Sequence, residues 1–141
     1  MRTLVVGVDG SDESLRALHF AARLARDLGE GALVVVFARY IPALYLPDHV
    51  AEDEFADVLD AAEARVREAV AGELSELPVS WRMEVCDGEP SQVLCQIARD
   101  AGDGAFVIVG RRGWSTVHEL LIGSVSNRLV HRGDCAVLLV P

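Results

Sequence analysis

Apolar positions along this chain follow two rhythms. Three short runs are apolar at nearly every position: Thr3 to Val8 (TLVVGV), Ala32 to Ala38 (ALVVVFA) and Ala105 to Val109 (AFVIV). Runs of this length, rich in β-branched residues, predict strands buried on both faces. Between them the spacing becomes helical. Leu15, Leu18, Ala22, Ala25 and Leu28 predict a first helix, and Phe55, Leu59, Ala62, Val66 and Ala69 a second. Val93, Leu94, Ile97, Ala98 and Ala101 mark a third, and Val125, Leu129 and Val130 a fourth. One stretch alternates instead: Val79, Trp81, Met83 and Val85 are interleaved with Ser80, Arg82 and Glu84. That period of two predicts a half-exposed strand at a sheet edge. Cys135 to Val140 is a last apolar strand.

The punctuation agrees with this reading. Ser11 is placed to cap the first helix, with Asp12 and Glu13 complementing the helix dipole in its first turn. Gly29 or Gly31 stops that helix, and the second breaks near Gly72. Asp87-Gly88 and Gly133-Asp134 are turns, and Pro90 suits the first position of the third helix. Arg39 to His49 has no period, and Pro42 and Pro47 bar a helix through it. It is either a lid over a ligand or a variable connection. Strands alternate with helices throughout, so the expected fold is α/β. Its parallel sheet is doubly wound, with helices on both faces and all of residues 1–141 in a single domain.

Composition narrows the function. No apolar run approaches the roughly 18 residues of a bilayer span, and MRTLVVGVDG lacks the apolar core of a signal peptide. A cytoplasmic protein without a membrane partner is expected. The net charge of −9 disfavours nucleic acid. All 13 basic residues are arginine, so a Walker A loop and a Schiff-base lysine are both excluded. Cys86, Cys95 and Cys135 are scattered in apolar patterns and read as reduced core thiols in a reducing compartment. His19, His49, His118 and His131 do not cluster, so no metal site is expected.

Candidate chemistry gathers in Gly110 to Ser126, GRRGWSTVHELLIGSVS, between a buried strand and a helix. Glycines there allow close backbone approach, and a helix N-terminus presents unpaired N–H groups and partial positive charge. The loop reads as a phosphate cradle, or as ordinary turn glycines before an N-cap serine. Asp9 ends a central strand just before a helix, where ligands of open α/β sheets bind; it could equally cap that helix. Arg111 and Arg112 could add charge or be solvated. His118 has no nucleophile or carboxylate at recognisable spacing, and no catalytic residue is assigned.

The spacing Gly-x2-Gly-x9-Gly-Ser resembles the nucleotide-binding signature of the universal stress protein family, in its ATP-binding branch. VVGVDGSDES resembles that family's opening segment, CDGEPSQVLCQIA its turn before the third helix, and CAVLLVP its closing strand. The resemblance implies five strands in the order 3-2-1-4-5 and a ligand of ATP with Mg2+. It implies that Gly7, Val8 and Asp9 meet the adenosine end, that Ala38 lines the adenine, and that Val109 and Gly110 face ribose and base. Gly113, Gly123, Ser124, Val125 and Ser126 would hold the phosphates. The role implied is a regulatory domain acting in stress response through nucleotide binding and contacts with a protein partner, rather than an enzyme. A slow ATPase or phosphotransfer enzyme, and a scaffold that does not use ATP, are the alternatives. The first lacks a placed general base and a lysine for the γ-phosphate. A homodimer through the Cys135–Val140 strand completes the expectation.

Overall fold

The computed structural model describes residues 2–29, 31–41, 52–111 and 124–141. Nine elements alternate: β1 (Thr3–Gly7), α1 (Asp12–Leu28), β2 (Ala32–Arg39), α2 (Glu52–Leu74), β3 (Trp81–Asp87), α3 (Pro90–Ala101), β4 (Phe106–Gly110), α4 (Ser124–Arg132) and β5 (Ala136–Val140). The strands form one sheet in the order β3-β2-β1-β4-β5, with all four pairings parallel. β1 therefore sits at the centre, between β2 (Val5 opposite Val34) and β4 (Val5 opposite Val107).

Strand alternation divides the core in two. Leu4, Val6, Leu33, Val35 and Ile108 face α1 and α2, packing with Ala17, Leu18, Ala21, Val66 and Val70. Val5, Val34, Val36, Val107 and Val109 face α3 and α4, packing with Leu94, Ala98, Val125 and Leu129. Central strands covered on both sides leave no room for polar alternation, which is why they read as unbroken apolar runs. Each such Val, Leu or Ile stabilises by about 1.5–3 kcal/mol on full burial.

Some details differ from the sequence expectation and others agree with it. α1 stops at Gly29, the first of the two glycines expected to end it, in the left-handed region at φ 75°, with its N–H donating to the Arg26 carbonyl. α2 runs two residues past Gly72, to the buried Leu74. Val130 belongs to no apolar face: it is 52% exposed, while Val125 and Leu129 are buried. Cys95 and Cys135 are not reduced thiols. They form a disulfide with their Cα atoms 5.8 Å apart, leaving Cys86 as the free cysteine, half-buried on β3. The Arg39 to His49 stretch is described only as far as Ile41.

Candidate functional site

The chain turns to opposite faces after β1 and β4, which are neighbours. β1 leads into α1 on one face and β4 precedes α4 on the other, so a crevice opens at their carboxyl ends. Gly7 and Val8 lie at its floor, both buried, and the Val8 N–H donates to the Val36 carbonyl at 2.9 Å. Ala38 is also buried (2% exposed) and extends β2 past the end of β1. Val109 is 1% exposed, and Gly110 closes β4 opposite Val140.

Asp9 is held by the turn it begins. Its Oδ1 accepts from the Ser11 N–H at 2.9 Å and from the Ser11 hydroxyl at 2.5 Å. Its own N–H donates to Ser14 Oγ at 3.2 Å, and the Ser14 hydroxyl donates to the Ser11 carbonyl at 3.0 Å. Ser11 in turn caps α1, its Oγ accepting from the Ser14 N–H. Gly10 has φ 87°, so the turn has a conformational reason for glycine, while a Cβ there would make only an ordinary contact with Val66 on α2 at 3.5 Å. Asp9 thus braces the N-cap Ser11, and the turn holds its carboxylate at the mouth of the crevice.

Across the crevice, the Ser126 hydroxyl donates to the Gly110 carbonyl at 2.7 Å, and Ser126 is 2% exposed. This buried bond pins the first turn of α4 to the end of β4. Val125 inserts beside it into the core shared with Val109. The arrangement directs an α-helix N-terminus at the switch point, where its unpaired N–H groups suit an anion. Ser124 is the first residue of α4, described in its backbone only. Gly113 and Gly123, with Arg112 and His118, lie outside the described residues.

Two features near the crevice escaped the sequence reading. Arg39, at the end of β2, donates through Nη1 to Glu63 Oε1 (2.9 Å) and meets Asp60 Oδ1 at 2.8 Å, both on α2. Its Nε lies 3.5 Å from Asp87 Oδ1 on β3. Hydrogen bonds to Asp60 and Glu63 raise the Arg39 guanidinium above its ordinary pKa, and the bond from Arg39, then that from Arg67, holds Glu63 below the usual carboxylate range. Glu89 is the other. It caps α3, accepting from the Ser91 and Gln92 N–H groups and the Ser91 hydroxyl, and pairs with Arg128 of α4 at 3.2 Å. Burial pushes the Glu89 carboxyl up, but the bonds from Ser91, Gln92 and Arg128 outweigh it and the net shift is downward. An acid directly before Pro90 was the available signal for that cap. Among the described residues no group of three or more His, Cys, Asp or Glu could hold a metal ion, and no helix is long and apolar enough to cross a membrane.

An open parallel sheet in the order β3-β2-β1-β4-β5, with helices on both faces and a crevice at its switch point, defines a doubly wound α/β domain. The chain belongs to the universal stress protein family, whose sequence model matches residues 1–141. A relative from Bacillus subtilis, universal stress protein YxiE, is 29% identical over 146 residues, covering 97% of each chain. The structure of the universal stress protein UspA from Lactobacillus plantarum superposes with a TM-score of 0.80 at 19% identity, covering 99% of this chain and 97% of that one. A universal stress protein crystallised in complex with cAMP is 28% identical, with a TM-score of 0.61, over 99% of this chain and 95% of its own.

Proposed function

We propose that this chain is a single-domain, ATP-binding regulatory protein of the universal stress type, which retains its nucleotide rather than turning it over. The observation that carries the reading is the buried Ser126–Gly110 bond. It aims the N-terminus of α4 at the crevice that Asp9 borders. The cAMP complex of a relative supports an adenine nucleotide as the ligand class. In this reading Gly7, Val8 and Asp9 meet the adenosine, Ala38 lies against the base, and Val109 and Gly110 flank the ribose. Gly113, Gly123, Ser124 and Val125 surround the phosphates. Ser126, with its one O–H donor committed to Gly110, acts by fixing that helix end. Mg2+ accompanies the triphosphate through phosphate oxygens and water, which it favours over an all-protein cage.

The same reading makes the protein a cytoplasmic homodimer. β5 is the outermost strand of the described sheet on its side. Beside its end lies a groove of about 920 Å³, lined in part by Leu15, Phe20, Leu24 and Val140. An edge strand next to exposed apolar surface suits a second copy.

Titration calorimetry with ATP and Mg2+ is expected to give saturable heat, and GTP weaker binding. Absence of heat at millimolar ATP, or tighter binding of GTP, overturns the assignment.

A further inference from the structure

Cys95 and Cys135 are 40 residues apart in sequence, and the stretch between them contains β4, the glycine loop and all of α4. Their bond therefore closes the whole candidate phosphate-binding segment into one covalent loop and fastens the start of β5 to α3. Among the described residues the β4 ladders, buried Val125 and Leu129 and the Ser126–Gly110 bond hold this segment from within, and the disulfide adds the covalent tie to α3. α4 has nine residues, too short to be stable by itself. Of its ion pairs, Arg132 with Asp134 is half-exposed and adds little, while Arg128, itself exposed, meets the more buried Glu89.

The two sulfurs also differ in access. Cys95 is fully buried among the side chains between α3 and the sheet. Cys135 is half-buried and lines a cavity of about 270 Å³ with Ala98, Arg99, Gly102 and Asp134. Cys135 is therefore the more accessible partner for an external thiol.

We propose that Cys95 and Cys135 form a reversible thiol–disulfide couple, a redox-operated clamp on the glycine-loop segment and β5. In reduction by a dithiol, one thiolate attacks Cys135 Sγ and forms a mixed disulfide. Cys95 leaves as a thiolate and takes up a proton. The second thiol of the reductant then closes its own disulfide and releases Cys135 as a thiol. In total, two electrons and two protons pass to the protein. Oxidation by glutathione disulfide runs the other way: Cys135 forms a mixed disulfide with one glutathione leaving, and Cys95 displaces the second.

The test uses the full chain equilibrated with glutathione disulfide or with dithiothreitol, then unfolded in excess maleimide and weighed. The oxidised protein is expected to gain one label, at Cys86, and the reduced protein three. Peptide mapping should recover Cys95 joined to Cys135. Reduction should lower the melting temperature by at least about 5 °C, because the closed loop is long. Cys86→Ser should keep that difference, and Cys95→Ala with Cys135→Ala should abolish it. If the double variant fails to fold, the parent and Cys86→Ser still decide. Three labels in both states, a bond that includes Cys86, or equal melting temperatures overturn the clamp. Titration with ATP in both states separates this inference from the nucleotide reading. A redox-dependent melt with no ATP heat in either state supports the clamp and removes the nucleotide assignment instead.

Discussion

Asp9 and Ser126 show what residue chemistry can and cannot disclose before folding. The sequence places Asp9 at the end of a central strand and Ser126 at the start of the fourth helix, and marks both as candidate ligand groups. Their bonding partners are another matter. Asp9 bonds Ser11, the N-cap of α1 two residues away, and a share in that cap was legible as an alternative. Ser126 bonds a carbonyl 16 residues distant, which only the β4–α4 packing brings near. The cysteines are the sharper case: their apolar, irregular spacing is that of core thiols, and the 5.8 Å between Cα atoms exists only once α3 lies beside β5. The two roles open to Asp9 separate by substitution. Asp9→Asn keeps an acceptor oxygen for Ser11, so thermal stability should change little. If the carboxylate also bonds a ribose hydroxyl, ATP affinity should fall by about 1–3 kcal/mol, measured by calorimetry. Unchanged affinity returns Asp9 to capping alone.

Individual elements were readable in kind and less so in extent. All four helices and five strands stand where periodicity put them. The errors arose where tertiary burial outweighed local preference, as when Leu74 carries α2 past Gly72. Those two helix glycines predict opposite responses to one substitution. A Cβ at Gly29 or at Gly72 meets nothing within 4 Å, so only the backbone decides. At Gly29, φ is 75° and alanine is strained, so Gly29→Ala should destabilise by about 1 kcal/mol. Gly72 lies in the last turn of α2 without a positive φ, so Gly72→Ala should stabilise by about 0.5 kcal/mol. Urea midpoints for the two variants should move in opposite directions. Acid should act through the caps and pairs. Glu63 and Glu89 both have folded pKa values below their ordinary ones. Their contribution is therefore present above the ordinary carboxylate pKa, near 4.3, and is lost as pH falls below it through the folded values. Melting curves from pH 6 down to about pH 3 should show this loss, and Glu89→Gln should make the acid limb shallower.

At the scale of the whole molecule, the resemblance carried in the glycine spacing delivered the strand order, because it supplied the long-range pairing that periodicity lacks. Assembly follows from the direction of backbone groups in β5. The Val140 carbonyl accepts from the Arg111 N–H at 2.7 Å, so it faces β4. Backbone direction alternates along a strand, which turns the N–H groups of Val137 and Leu139 toward the outer edge. Val137→Pro should then remove one outward donor while sparing the β4 ladder. Light scattering is expected to give dimer mass for the parent and monomer for the variant; a monomeric parent at micromolar concentration rules out pairing through this edge. The central position of β1 has a consequence for biosynthesis. Its first partner, β2, emerges soon after it, but Leu4 must wait for Phe106. Until then a nascent chain shows one open side of its central, buried strand. A polypeptide stalled or cut after α3 would expose that side permanently and should aggregate, even with most of both helical layers already made.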